Sequence, residues 1–146
     1  MHQHKMMAYM SRLSGYHHRM VVQAFPNLHI GAGQYPILLR VHNQPGISQD
    51  ELAEQMLLNK SSVARAAAQL EKNGYLARSI NPSNKRAYLL TLTRQGEEIL
   101  PQILRAVRQS LDALTAGLSA EQVTALEQIL FYMVTHNTPK YKIDNR

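Results

Sequence analysis

The chain has no cysteine, no tryptophan, only two phenylalanines among 146 residues, and no long apolar run. Without cysteine there are no disulfides, no thiolate metal ligands and no cysteine redox chemistry, a usage that fits a cytosolic protein. Apolar runs extend only a few residues, so no stretch predicts a bilayer span. The opening MHQHKMMAYMSR lacks a continuous apolar centre and a small-residue cleavage site, which argues against a signal peptide. Catalytic signatures are missing too. There is no HExxH, no GxSxG and no glycine-rich phosphate loop, and the few carboxylates do not assemble an acid–base pair, so no enzyme is expected. Acidic residues number 10 against 16 Lys plus Arg, giving a net charge of +6 and a pI near 9.8. That balance favours a polyanionic partner.

At this length, with 45% hydrophobic residues, one domain spanning residues 1–146 is expected. Gly and Pro punctuate it at Pro26-Asn27, Gly31 to Gly33, Pro45-Gly46, Asn73-Gly74 and Asn81 to Asn84. Between the breaks the hydrophobic period is mostly helical. Residues 5–24 carry Met6, Met10, Leu13, His17 and Met20 on one stripe, and Tyr35 to His42 is a short apolar helix. In GISQDELAEQM, Ser48 is an N-cap, with Glu51 completing a capping box and Leu52, Ala53 and Met56 facing inward. A further short helix covers about Lys60 to Lys72 and stops at Asn73-Gly74. YLARSI and AYLLTL flank a turn and predict a β-hairpin. From Arg94 to Leu118, Leu100, Leu104, Val107, Leu111, Leu114 and Leu118 form a heptad-like seam, and Ser119 caps a last helix carrying Val123, Leu126, Leu130 and Met133. The expected fold is therefore mainly α with a small β-hairpin wing. Two short helices followed by a hairpin make a winged helix-turn-helix, here over residues 33–92.

On the helix from Lys60, Val63, Ala66, Ala67 and Leu70 share the inward face, while Ser61, Ser62, Arg65 and Gln69 share the other. Small hydroxyls at a helix start allow close approach, free N–H groups favour phosphate, and an arginine one turn in can chelate guanine in a major groove. Lys60 stands at the entrance, where a phosphate would lie, and Ser48 at the start of the preceding helix joins the candidate DNA contacts. The hairpin tip, NPSNKR, then acquires a purpose. Arg86 is the candidate for insertion into a narrow minor groove, with Lys85 and the strand-borne Arg78 on phosphates. A solvated turn whose charges only keep the edge soluble is the bland alternative, and the preceding helix pair disfavours it.

The stretch GISQDELAEQMLLNKSSVARAAAQLEKNGYLARSINPSNKRAYLLTLTRQG resembles the winged-helix core of the MarR (multiple antibiotic resistance regulator) family, most closely in QLEKNGYLAR and LTLTRQG. The flanking helices match that family's layout, so the resemblance covers nearly the whole chain. It implies a homodimeric transcription regulator, usually a repressor. Its terminal helices, here residues 5–24 and 94–136, would form the dimerisation region, and Arg86 would be its minor-groove arginine. Family wings usually carry aspartates in the turn, one of which steadies that arginine; Asn81 and Asn84 stand here instead, without the charge-assisted component.

A twofold dimer would set two recognition helices roughly 34–36 Å apart and require a pseudopalindromic site. The resemblance also suggests a phenolic or other amphipathic effector in the cleft between stalk and lobe, with His17, His18, Tyr35 and Arg40 as candidate lining residues. No cofactor or metal is expected. A zinc-responsive regulator is one alternative, although the close pairs His17-His18 and His2-x-His4 lack the helical i+4 spacing that suits one ion. A winged helix used as a protein-interaction module is another, but Ser61, Ser62, Arg65 and Gln69 offer no apolar patch for it.

Overall fold

The computed structural model describes residues 2–137, with side chains from His4 onward; His2, of the proposed metal pair, lies outside that side-chain range. The elements run α1 (His2–Gln23), a 3-10 turn (Pro26–Leu28), α2 (Tyr35–Asn43), β1 (Ile47–Ser48), α3 (Gln49–Gln55), α4 (Lys60–Lys72), β2 (Leu76–Asn81), β3 (Asn84–Leu92), α5 (Arg94–Thr115) and α6 (Ala120–Asn137). No helix among the described residues is long and apolar enough to cross a membrane.

Local chemistry sets the boundaries of the winged lobe. The Glu51 N–H donates to Ser48 Oγ at 3.1 Å, so Ser48 caps α3 as predicted, while the reciprocal Glu51 side-chain bond of the expected capping box is not made among the described residues. Asn59 does the same for α4, its Oδ1 accepting from the Ser62 N–H at 2.7 Å. At the other end of α4 the chain leaves through Gly74, whose φ of +83° a side chain would resist. The Gly74 N–H bonds to the Glu71 carbonyl at 2.9 Å and the Tyr75 N–H to the Leu70 carbonyl at 3.0 Å, the paired bonds of a Schellman stop. The hairpin follows at once.

β1, β3 and β2 form an antiparallel sheet in that order, with Ile47 opposite Leu90 and Ile80 opposite Tyr88. The sequence predicts only the hairpin. β1 is two residues long, too short to show an alternating pattern, and it exists because the chain before α3 pairs with β3. The core lies where α2, α3, α4 and the sheet meet. Ile37, Leu38, Val41, Leu52, Val63, Ala67, Leu70, Leu76 and Leu90 are all buried there. Val21 near the end of α1, Phe25 just beyond it, and Leu100 and Ile103 in α5 extend that core toward the stalk.

The stalk departs from the predicted seam. Leu100 is buried, but Leu104, Leu111 and Leu118 are 50%, 49% and 41% exposed; the inward run is Leu100, Ile103, Ala106 and Ser110. Small residues allow α5 to approach α1 closely, so the buried line falls where the leucine pattern did not draw it. The long helix ends at Thr115 rather than Leu118. Ser119 caps α6 as expected, and reciprocally: its Oγ accepts from the Gln122 N–H at 3.2 Å and its N–H donates to Gln122 Oε1 at 2.9 Å. α6 buries no residue within its own chain. It splays from α5, leaving an apolar cleft of about 570 Å³ lined by Leu111, Val123, Leu126, Leu130 and Phe131 among others.

Candidate nucleic-acid interface

The outward face of α4 matches the sequence pattern. Val63, Ala67 and Leu70 are fully buried, whereas Ser61, Arg65 and Gln69 are exposed and Ser62 is partly so. Asn59 Oδ1 also accepts from Ser61 Oγ at 2.9 Å, which ties down the first turn. Lys60 forms an ion pair with Asp50 at 3.0 Å, with the two side chains 73% and 48% exposed. Such a solvated pair is worth well under about 1 kcal/mol and yields readily to a stronger anion. Gln69 Nε2 donates to Asn73 Oδ1 at 3.0 Å, and Asn73 Nδ2 donates to the His29 carbonyl at 3.2 Å. Arg65 is exposed and has no hydrogen-bond or ion-pair partner among the described residues. Ser48 caps α3 at the opposite rim, partly exposed.

The wing tip is built by its asparagines. Asn81 Oδ1 accepts from the Ser83 N–H at 3.0 Å, and Asn84 Oδ1 from the Arg86 N–H at 3.1 Å. These side-chain turns shape the backbone and leave the Lys85 and Arg86 side chains exposed beyond it. Arg78 stands differently from the phosphate contact expected of it. Its Nη2 and Nε reach Glu71 Oε2 at 2.7 and 2.8 Å, and its guanidinium carbon lies 4.6 Å from the centre of the Tyr88 ring. The sequence reading missed both partners because Glu71 meets Arg78 across the α4–hairpin junction and Tyr88 meets it across the two strands of the hairpin.

The four candidate effector residues separate into two places. His17 Nδ1 lies 2.8 Å from Ser110 Oγ, and His18 Nδ1 lies 2.6 Å from the Tyr35 hydroxyl, so α1 is pinned to α5 and to α2. The three rings stand 5.4 to 6.4 Å apart between centroids. Burial pushes the Tyr35 phenol up to about 12, which keeps it protonated. Burial, and then the neighbouring His18, hold the His17 imidazole below its ordinary value. Arg40 lies elsewhere, on an apolar cleft of about 570 Å³ that Met10, Met56, Leu57, Leu130 and Met133 also line. Gln55 borders that cleft with its side chain buried, its Nε2 donating to Gln44 Oε1 at 3.2 Å and its Oε1 unpartnered.

A pinned helix pair with an outward Ser-Ser-Arg-Gln face, followed by a basic hairpin, is an arrangement for reading duplex DNA. Comparison with known proteins agrees. The MarR family model matches residues 30–88. The chain is 30% identical over 113 residues to the multiple antibiotic resistance protein MarR of Escherichia coli, covering 77% of this chain and 78% of that protein. The chain belongs to the MarR family. A crystal structure of a MarR protein superimposes with a TM-score of 0.83 at 30% identity, over 90% of this chain and 96% of the other. A mutant MarR from Escherichia coli complexed with operator DNA gives a TM-score of 0.77 at 25% identity, covering 87% and 91%. This MarR-family protein is a DNA-binding transcription regulator and not an enzyme.

Proposed function

We propose that the chain works as a homodimeric repressor that straddles a pseudopalindromic site. Residues 33–92 serve as the reading lobe, and residues 5–24 and 94–136 as the dimerisation helices. On this reading Ser61, Ser62, Arg65 and Gln69 face the major groove. Ser48, Lys60 and Lys85 meet phosphates, and Arg86 enters the flanking minor groove. The observation that carries it is the exposed Arg65, without a partner among the described residues, on an otherwise well-anchored α4, because a rigid helix presenting an open fork of donors suits guanine.

Dimerisation is supported by what the stalk leaves uncovered. Met6, Met10 and Leu13 of α1, Leu104 and Leu111 of α5, and Leu126, Leu130 and Met133 of α6 are all exposed in the single chain. A monomeric soluble protein rarely leaves so many large apolar side chains of its helices open. Release by a small amphipathic ligand is supported by the cleft at Arg40, which lies between the stalk and the lobe and can couple ligand binding to lobe spacing.

The test is selection of bound fragments from random duplex DNA, followed by affinity measurement on the selected site. Arg65→Ala should cost about 1–3 kcal/mol there and relax preference at one base pair. Arg86→Ala should reduce the preference for A·T-rich flanks. Equal losses for Arg65→Ala on selected and random DNA would remove it from base reading.

A further inference from the structure

We propose that Glu71, Arg78 and Tyr88 are positioning residues, a brace that sets where the wing tip stands relative to α4, and that Arg78 takes no phosphate. The inference rests on the reading of the wing as a minor-groove probe. It starts from one guanidinium that joins three elements. Arg78 belongs to β2, Glu71 to the last turn of α4, and Tyr88 to β3. Two of its nitrogens converge on one oxygen, Glu71 Oε2, at 2.7 and 2.8 Å, while the ring of Tyr88 covers its carbon at 4.6 Å.

This pair is better sheltered than two other ion pairs among the described residues, Lys60–Asp50 and Arg94–Glu98. The Arg78 and Glu71 side chains are 22% and 39% exposed, against 73% and 48% for Lys60–Asp50 and 93% and 61% for Arg94–Glu98. Less solvent means less screening, and a planar guanidinium stacked on an aromatic ring has few alternative rotamers. The chain passes from α4 to the hairpin through the left-handed Gly74, and Leu70, Leu76 and Leu90 pack the base of the hairpin into the shared core.

Leverage makes the brace matter. From Arg78 to the tip at Ser83 the strand extends by roughly 16 Å. A tilt of roughly 10° at Arg78 would therefore move the tip by roughly 3 Å, against a minor-groove depth of roughly 7.5 Å, enough to lift Arg86 off the groove floor. Tyr88 adds a second hold, since it sits opposite Ile80, the last regularly paired residue before the shift in register at Asn81.

A phosphate contact and a brace predict opposite signs for one substitution. Operator affinity, its salt slope, and the preference for A·T- over G·C-flanked operators are measured for the parent, Glu71→Gln, Arg78→Gln and Arg86→Ala. Urea midpoints show that each variant is folded. The brace predicts that Glu71→Gln weakens operator binding by roughly 3- to 10-fold and erodes the flank preference. It also predicts that Arg78→Gln does likewise with an unchanged salt slope, because Glu71 already neutralises that charge. A phosphate contact predicts instead that Glu71→Gln, by freeing a cation, tightens binding, and that Arg78→Gln lowers the salt slope by about 0.9. Either of those results overturns the brace. Flank preference that survives in Arg86→Ala overturns the wing reading itself. Preference lost in Arg86→Ala but kept in Glu71→Gln and Arg78→Gln overturns the brace alone.

Discussion

Gly96 offers the sharpest check on how the lobe is joined to the stalk. It occupies the third position of α5, where alanine would ordinarily raise stability by up to about 1 kcal/mol through helix propensity. Here a Cβ would lie 2.1 Å from the Tyr75 carbonyl oxygen, 3.1 Å from the Tyr75 carbonyl carbon and 3.4 Å from Leu92 Cβ. Real Cβ atoms keep at least 3.0 Å, so backbone must move by 0.9 Å or more. That backbone is held from several sides. The Tyr75 carbonyl accepts the Thr93 N–H at 3.1 Å, Thr93 Oγ1 donates to the Gly74 carbonyl at 2.6 Å, and the Tyr75 hydroxyl donates to the Leu28 carbonyl at 3.1 Å. Overpacking typically costs about 1–3 kcal/mol, and a buried hydrogen bond broken in the adjustment adds about 1 kcal/mol. Against the propensity gain, Gly96→Ala should therefore destabilise the protein by about 1–3 kcal/mol. Urea unfolding at fixed protein concentration reads this as a midpoint lower by about 1 M. A midpoint equal to the parent's, or above it, would show that the strand-to-helix joint slides freely and that the reasoning fails.

The remaining predictions concern acid and assembly. His17 is held below its ordinary value, so under about pH 6.5 an unfolded chain binds a proton there that the folded chain refuses. Its contribution to stability is whole above that pH and is lost as pH falls toward the depressed folded value. The thermal midpoint should accordingly fall between pH 7 and pH 5, and His17→Gln should flatten that slope; an identical slope in the variant would exclude His17 as its source. Leu130→Asp in α6 should convert a dimer to monomers by analytical ultracentrifugation without loss of helix signal, because α6 buries nothing in its own chain. A variant that remains dimeric would place the interface elsewhere.

Much of the lobe is legible in the sequence because its signals are local. α4 runs from Lys60 to Lys72 as the periodicity and the Asn-Gly stop predict, and Ser48 and Ser119 cap the helices they were expected to cap. What was not legible depends on partners in other elements of the fold. β1 exists only through β3, the inward line of α5 runs through Ala106 and Ser110 because α1 lies there, and Arg78 turns to Glu71 and Tyr88. The effector residues show the same limit. His18 and Tyr35 do meet, 17 positions apart, but Arg40 projects from the same α2 onto a different cleft. A helix pattern reports which face is apolar and not which neighbour covers it.

The stop at the end of α4 has a chemical side as well. An Asn-Gly step is the bond at which an amide side chain most readily cyclises onto the next backbone nitrogen and hydrolyses to aspartate or isoaspartate. In the folded chain the Gly74 nitrogen is engaged by the Glu71 carbonyl, and the Asn73 amide is clasped by Gln69 on one side and His29 on the other. The attacking atom and its target are thus both restrained, and spontaneous ageing at this position is deferred for as long as the helix end holds its shape.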